Sequence, residues 1–355
     1  QRMIERGRIT ETEKANRISL ISTSLNFNDL SDADLIIEAA FEDLELKKEI
    51  FSKLNEIAKS GAILATNTSY MDINQIAAVT QRAEDIIGLH FFVPANVMKM
   101  LEVVRTSSSS PEALATGMQL AKQFKKVGGV AGVSHGFVAN RSRAPLVREA
   151  QFLVEEGASP AQIDAVLRDF GLPMGVLAVS DMSGLDVSWR MRKSLAHLRV
   201  SEERYPHLAD RLCEMGRFGR KAGYGYYSYS EGGSLPIPDP EVEEIALKVA
   251  EENGIERRKI NDAEILDRCL YAAVNEGSKI VQEGIAYRAS DIDIMWQYGF
   301  GFPRWRGGIM YHADVIGLSE VLDRIEEFHE IHGKLWQPSA LLKELAQSGG
   351  SFTQK

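Results

Sequence analysis

A histidine and a glutamate twelve residues apart are the residues best suited to acid–base chemistry. His90 follows an apolar stretch, Pro94 then forces a turn, and Glu102 stands in the middle of a second apolar run. A carboxylate that accepts a hydrogen bond from one imidazole nitrogen fixes the tautomer and raises the basicity of the other nitrogen. The spacing therefore predicts a general-base pair, and it fits a core histidine beside an edge-strand glutamate equally well.

The segments around this pair alternate between strand-like and helix-like patterns. Strand patterns cover residues 17–24, 34–40, 62–69, 86–92, 101–106 and 127–134, and helix patterns cover 44–60 and 111–124. Short apolar strands separated by amphipathic helices are typical of an α/β fold with a largely parallel sheet. We expect His90 at the carboxyl edge of this sheet, where open α/β sheets hold their ligands.

After residue 134 the strand signal fades, and two helical blocks carry similar motifs about 130 residues apart. The motif pairs are Glu-Gly at 156–157 and 283–284, Gly-x-Pro at 171–173 and 301–303, and Gly-Leu at 184–185 and 317–318. The order of the pairs predicts two copies of one helical domain, although such dipeptides are also common at helix ends. The predicted domains are 1–134, 135–232 and 259–355, with a linker over residues 233–258 that includes most of the Gly/Pro/Ser-rich stretch 232–240.

Composition narrows the class of protein. The 355 residues are 44% hydrophobic and 26% charged, which is ordinary for a globular protein, and the net charge is −9 without a Lys/Arg cluster. A nucleic-acid partner is therefore not expected. No apolar run approaches the roughly 18 residues of a membrane span.

The two cysteines, Cys213 and Cys269, have no metal-site spacing, so we expect no metal and a reducing compartment. The last residues, 351–355, differ from the Ser-Lys-Leu peroxisomal address. On these grounds we predict a cytoplasmic protein of bacterial type.

No phosphate-binding glycine loop occurs in the sequence. Gly223-x-Gly225 and Gly299-x-Gly301 both lack the third glycine of the G-x-G-x-x-G pattern. Without that loop, a pyrophosphate has no ring of backbone N–H donors at a helix N-terminus. Either the chain binds no dinucleotide, or the first βαβ unit lies upstream of Gln1.

Several motifs together resemble the 3-hydroxyacyl-CoA dehydrogenases. They are His90-Phe91-Phe92-x-Pro94 with Glu102, Asn67-Thr68-Ser69, and Gly-Phe-Val-Ala-Asn-Arg at 136–141. Two helical copies are similar to the multifunctional fatty-acid β-oxidation enzymes, the peroxisomal-type bifunctional protein and its bacterial relatives. The resemblance implies an N-terminally truncated chain, with an α/β Rossmann-like domain that lacks its first βαβ unit and two duplicated all-α dehydrogenase C-terminal domains.

The resemblance also implies NAD-dependent oxidation of (3S)-3-hydroxyacyl-CoA to 3-oxoacyl-CoA. His90 would be the general base, Glu102 would orient it, Ser69 would bond the reacting hydroxyl and Asn140 would place the substrate oxygen. Two of these residues have structural alternatives: Ser69 could cap the next helix, and Asn140 could cap the helix that begins at Arg141.

For the cofactor, the resemblance implies that Glu42, Lys47 and Ser69 contact the nicotinamide side of NAD. The alternative for Glu42 and Lys47 is a solvated face of an acidic helix. Val93 stands where relatives have Asn or Ser and removes one polar group near the reaction. Without the glycine loop, we expect the chain by itself to bind NAD poorly and to be inactive.

The partners implied by the resemblance are an acyl-CoA substrate, a hydratase domain ahead of Gln1 and possible thiolase subunits. Two other functions remain open. Hydroxy-acid dehydrogenases of another substrate class share this architecture but use a lysine near the reacting carbon. A catalytically impaired scaffold of a β-oxidation multienzyme is the second alternative.

Overall fold

A five-stranded sheet forms the first part of the computed structural model, which describes residues 2–194, 196 and 203–353. Its strands, in spatial order, are β1 (Leu35–Glu38), β2 (Ile63–Thr66), β3 (Ile86–Phe91), β4 (Met100–Arg105) and β5 (Val127–Gly132). Three of the four neighbouring pairs are parallel, and β3 and β4 are antiparallel. The carboxyl ends of β1, β2 and β3 therefore meet at one edge.

Five helices belong to this α/β part. They are α1 (Arg2–Glu5), α2 (Glu11–Ile18), α3 (Leu44–Ile57), α4 (Ile73–Ala77) and α5 (Pro111–Gln123). The side chain of Asp43 caps the start of α3, which buries Phe51 and Leu54. Ser110 caps α5, and Pro111 occupies its first turn, where no N–H is needed.

The strand predicted over residues 17–24 is wrong. α2 extends to Ile18, and the segment after it contains a turn and irregular backbone. The side chains of Leu20 and Ile21 are 85% and 71% exposed. A strand needs a hydrogen-bonded neighbour as well as apolar residues, and no described strand pairs with this segment.

The remainder of the described chain is helical apart from a short hairpin of β6 (Tyr227–Ser228) and β7 (Ile237–Pro238). The helices are α6 (Ala139–Glu156), α7 (Pro160–Phe170), α8 (Val176–Ser183), α9 (Leu185–Ser194), α10 (His207–Glu214), α11 (Pro240–Glu252), α12 (Asp262–Gln282), α13 (Ala289–Gly299), α14 (Ile309–Ile316), α15 (Leu318–His332) and α16 (Ala340–Ser348). The long helices α6 and α12 pack on each other at the centre.

The segment predicted as a linker, 233–258, contains a folded helix. α11 buries Val242, Ile245 and Val249 in the main core. The Gly/Pro-rich residues lie before this helix, and Asp239 and Pro240 provide its cap and first turn. The domain boundaries themselves remain a prediction.

The second helical half docks directly on the sheet. The N–H of Gly132, at the end of β5, donates to the carbonyl of Ile285 at 2.7 Å. Met295 of α13 lies so close to Gly129 that a Cβ added there would be 2.8 Å from its methyl carbon. A Cβ at residue 129 would therefore force the ends of the Met100 and Met295 side chains to shift.

A buried aspartate holds the start of a helix in each half of the helical part. Asp164 on α7 accepts hydrogen bonds from two N–H groups at the start of α8, both at 2.9 Å. Asp293 on α13 accepts from the N–H of Met310 at the start of α14, at 2.7 Å. The positive end of each helix compensates part of the cost of burying a carboxylate.

Replacing Asp293 by asparagine should make stability less dependent on pH. Burial raises the pKa of Asp293 from 3.8 to about 7, so its contribution to stability is complete below pH 3.8 and is lost as the pH rises towards 7. Urea unfolding at pH 5 and pH 7.5 tests this effect. We expect the free energy of unfolding to fall by about 2 kcal/mol more in the wild type than in Asp293→Asn. Equal pH dependence in the two proteins would contradict the prediction.

Candidate active site

His90 and Glu102 face each other across two antiparallel strands. His90 on β3 is directly opposite Glu102 on β4, because the turn after β3 brings the chain back in that register. The Nδ1 atom of His90 lies 2.6 Å from Oε2 of Glu102. The imidazole is 6% exposed and the carboxylate is fully buried. The structure thus brings together the two residues on which the predicted general-base pair depends.

The second oxygen of Glu102 bonds to the start of α6. Oε1 accepts from the N–H groups of Val138 and Ala139, at 3.2 and 2.9 Å. These donors lie where a helix has no backbone partners, and α6 has no side-chain cap from its own N-cap residue. The ionised carboxylate then accepts the proton of Nδ1, so that Nε2 of His90 is the basic nitrogen.

Aromatic rings surround the imidazole. Its centroid lies 5.2 Å from that of Phe92 and 5.8 Å from that of Phe137. Phe92 in turn contacts Phe300, which follows α13, with 5.7 Å between centroids. This apolar lining lowers the local dielectric, which strengthens the interaction between imidazole and carboxylate.

Glu42 and Ser69 lie together at the carboxyl edge of β1 and β2. Oε1 of Glu42 accepts from the N–H of Ser69 at 3.1 Å and from the hydroxyl of Thr68. The side chain of Glu42 remains 43% exposed, so one oxygen can still bind a ligand. The alternative that Glu42 belongs to a solvated helix face does not describe this position, because Glu42 precedes α3.

Lys47 is buried rather than solvated. Its side chain is 1% exposed, and its Nζ donates to both oxygens of Glu38, at 2.8 and 3.0 Å, with Glu42 at 3.5 Å. The solvated-face alternative for Lys47 is therefore wrong. Glu38 was missed in the sequence, although an acidic residue at the end of the apolar strand 35–38 is the signal that could have revealed it.

The capping alternatives for Ser69 and Asn140 are wrong. The next helix after Ser69 is α4, which Asp72 caps. Asn140 lies inside the first turn of α6, whose N-cap position is Val138. Another residue of the Asn67-Thr68-Ser69 motif has a clear structural role, because Oδ1 of Asn67 accepts the N–H of Phe91 at 2.9 Å, next to His90.

Tyr70, the residue after Ser69, packs against the segment that precedes α6. Its ring packs against that of His135 in a tilted arrangement, with 5.0 Å between centroids. A Cβ on Gly136, which has a φ of +79°, would lie 3.3 Å from the Tyr70 ring and 3.2 Å from Cβ of Asn140. Burial raises the pKa of the Tyr70 hydroxyl, which is close enough to Glu42 and Glu102 for both charges to act on it. Tyr70 is therefore close both to Glu42, a predicted cofactor residue, and to Glu102 of the predicted base pair.

Val93, the departure from the family pattern, is 89% exposed in the turn between β3 and β4. Within the described ranges, no three His, Cys, Asp or Glu side chains are grouped as a metal site would need. None of the helices that the structure describes combines the length and apolar character of a membrane span.

Comparison with known families identifies the family of the chain. The NAD-binding domain of 3-hydroxyacyl-CoA dehydrogenase matches residues 1–132, and the C-terminal domain of the same enzymes matches residues 136–229 and 265–354. The chain belongs to the 3-hydroxyacyl-CoA dehydrogenase family of NAD-dependent oxidoreductases, as the motifs indicated.

Two curated relatives are named peroxisomal bifunctional enzyme. The protein of Danio rerio is 43% identical over 95% of this chain and 49% of its own length. The protein of Homo sapiens is 42% identical over 90% of this chain and 46% of its own length. The chain spans about half the length of these relatives.

Two solved structures are similar over nearly the whole chain. A 3-hydroxybutyryl-CoA dehydrogenase from Escherichia coli has a TM-score of 0.82 at 26% identity, over 98% of this chain and 89% of that one. The dehydrogenase part of multifunctional enzyme 1 from C. elegans has a TM-score of 0.64 at 30% identity, over 97% and 78%. A Rossmann-like sheet followed by the helical domain of this family is therefore the fold.

The prediction of a cytoplasmic protein of bacterial type is wrong. The curated relatives include peroxisomal enzymes of fish, human and rice, and their names point to the peroxisome. A targeting signal is a short address read by a receptor, so neither the fold nor the site could have predicted it.

Glu102→Gln should lower kcat by about 10²- to 10⁴-fold in a protein that carries the complete nucleotide-binding unit. The glutamine amide would donate to Nδ1 of His90 and leave Nε2 protonated, whereas its oxygen could still accept from α6. Steady-state kinetics measured by NADH absorbance, with circular dichroism to verify folding, provide the readout. The exposed Glu112→Gln is the control, and a wild-type kcat in Glu102→Gln would exclude the proposed role.

Proposed function

We propose that this chain is the dehydrogenase part of a bifunctional β-oxidation enzyme and oxidises (3S)-3-hydroxyacyl-CoA to 3-oxoacyl-CoA with NAD. The observation that carries the proposal is the 2.6 Å contact between His90 and Glu102 in a chain of this family. A buried imidazole with an anchored carboxylate on one nitrogen has the form of a general base.

His90 removes the proton of the 3-hydroxyl through Nε2, while hydride leaves C3. NAD, when bound, accepts this hydride. Glu102 stabilises the imidazolium that forms, and its two bonds to α6 keep it from rotating away. Asn140, in the first turn of α6, donates to the substrate oxygen, and Ser69 bonds the reacting hydroxyl.

The residues at the carboxyl edge of β1 fit a dinucleotide. Glu42 presents a half-exposed carboxylate that can accept hydrogen bonds from ribose hydroxyls. Lys47 acts indirectly, since its ammonium is held by Glu38 and keeps Glu42 in place. It is therefore unavailable as the lysine that a dehydrogenase of another substrate class would use near the reacting carbon.

The pyrophosphate loop, in this proposal, belongs to a first βαβ unit that precedes Gln1. β1 is an edge strand of the sheet, so its outer hydrogen-bonding groups are open to a further strand. Phe41 and Leu25 nearby in the chain are exposed, at 86% and 105%. An added unit would cover such apolar surface and supply the missing N–H donors.

The helical part, we propose, is a duplication. Asp164 and Asp293 bond to the starts of α8 and α14 in the same way. A second pair of aspartates also corresponds: Asp181 accepts from the N–H of Tyr226, and Asp314 accepts from the N–H of Phe352, both near the end of a family match. Two independent contacts repeated in order support duplication better than the dipeptide motifs do.

The proposed partners follow from the length of the relatives. Because the chain spans about half of each bifunctional enzyme, we propose that a hydratase domain precedes it and that the whole protein is peroxisomal. Acyl-CoA is the proposed substrate. A thiolase partner remains a prediction without a structural observation behind it.

Calorimetric measurement of NAD affinity tests whether a βαβ unit upstream of Gln1 provides the pyrophosphate loop. We expect residues 1–355 alone to bind NAD at least 100-fold more weakly than the full-length protein, since the backbone donors for the pyrophosphate are absent. Circular dichroism of both proteins controls for misfolding. Equal affinity of the two proteins would exclude an upstream pyrophosphate loop.

Reduction of acetoacetyl-CoA with NADH by the full-length protein tests the reaction. His90→Ala should lower kcat by about 10²- to 10⁴-fold through loss of the proton donor and acceptor. His329→Ala, on the distant helix α15, serves as the matched control. Normal turnover by His90→Ala would refute the proposed chemistry, and an inert wild type would favour a scaffold.

A further inference from the structure

Arg141, in the first turn of α6, is bound by two carboxylates of the second helical half. Its Nε atom donates to Glu276 at 2.7 Å, and its two terminal nitrogens donate to the two oxygens of Glu283, at 2.6 and 2.9 Å. Glu276 lies on α12, and Glu283 directly follows that helix. Two parallel N–H donors on one carboxylate fix the direction of a guanidinium as well as its distance. The proposed reaction uses none of these three residues.

The same set of contacts occurs a second time between the two central helices, with the helices exchanged. Arg268 of α12 donates to Glu149 and Glu156 of α6, at 2.9 and 2.5 Å. The arginine and both glutamates of one set are offset from those of the other by the same number of residues. Such a reciprocal exchange is typical of a two-fold interface. The two arginines therefore have equivalent positions in the helix packing, and a functional difference between them must come from their neighbours.

The neighbours of the two arginines differ. Arg141 directly follows Asn140, and its backbone N–H donates to the carbonyl of Gly136 at 3.1 Å, which closes the turn before α6. Arg268 lies inside α12, which has a cap of its own and carries none of the proposed site residues. The ion pairs of Arg141 therefore act on the substrate-positioning segment, whereas those of Arg268 act on a purely structural one.

The turn before α6 has an unfavourable backbone conformation. Gly136 has a φ of +79° and Phe137 a φ of +52°, a region that residues other than glycine rarely adopt. The buried ring of Phe137 lies against the imidazole of His90, with 5.8 Å between centroids. Such a conformation persists only where the surrounding contacts fix it. Glu102 supplies contacts from the sheet, and Arg141 supplies contacts from the second helical half.

We propose that Glu276 and Glu283 are positioning residues of the dehydrogenase, which hold the start of α6 through Arg141 and so place Asn140 for the substrate oxygen. The inference rests on the proposed function, because it concerns the reaction that Asn140 serves. Without the two carboxylates, the first turn of α6 could shift relative to the sheet. A displacement of about 1 Å in a catalytic group can cost about 10²-fold in rate, so a measurable loss of kcat is expected.

Reduction of acetoacetyl-CoA with NADH by the full-length protein provides the test. Glu283→Gln should lower kcat by about 5- to 50-fold and leave KM for NADH unchanged, because Glu42 and Lys47 lie on the side of the sheet. Glu283→Asp, which keeps the charge, should lose less. If Glu283 acts through Asn140, the double variant Asn140→Ala/Glu283→Gln should be no slower than Asn140→Ala alone.

Glu156→Gln is the matched control, because it removes the equivalent carboxylate from Arg268. Breaking this buried pair should lower the melting temperature, and kcat should stay unchanged because the turn of α12 beside Arg268 carries no site residue. Glu252→Gln, which breaks the exposed pair with Arg211, is the second control and serves if Glu156→Gln does not fold.

Three results would overturn the inference. They are an unchanged kcat in Glu283→Gln, an equal loss of kcat in a folded control, and a fully additive loss in the double variant with Asn140→Ala. The second and third results would make the ion pairs of Arg141 structural only. All three require an active wild type. An inert wild type would instead remove the dehydrogenase function itself, and this inference with it.

Discussion

The carboxylate of Glu102 is fully enclosed, and its burial is tolerated because three donors converge on it. One is the imidazole of His90, and two are backbone N–H groups at the start of α6. Removing any of them would leave a charge in an apolar environment, at a cost of several kcal/mol. A single side chain therefore ties together β3, β4 and the first long helix, and it fixes the orientation of the proposed base.

This arrangement places the proposed base where the sheet meets the helical part. In the proposed function, the sheet provides the base and the residues at the nucleotide edge, whereas α6 provides Asn140. The second helical half reaches the surroundings of His90 through the contact of Phe300 with Phe92, and it is held on the sheet by the bond from Gly132 to Ile285. The environment of the imidazole therefore depends on the packing of the sheet and of both helical halves.

The sequence was sufficient where local rules decide the structure. Two apolar runs separated by a turn at Pro94 predicted that residues 90 and 102 lie on neighbouring strands, and they do. The sequence was insufficient where a residue or strand far away in the chain determines the local structure. Residues 17–24 have the composition of a strand, but no strand in the described part of the chain pairs with them. Lys47 was ambiguous because Glu38, on another element, determines its burial. The helix α11 was missed because glycines and prolines before it dominated the pattern.

The start of α6 has a consequence for how the molecule can be divided. α12, the other central helix, begins with its own cap, the side chain of Asn261. α6 has no side-chain cap of its own, and its first N–H groups donate instead to Glu102 of the sheet. If the helical half were expressed by itself, the first turn of α6 would fray into solvent, while α12 would keep its first turn intact. The first turn of α6 is thus ordered by the sheet that carries Glu102.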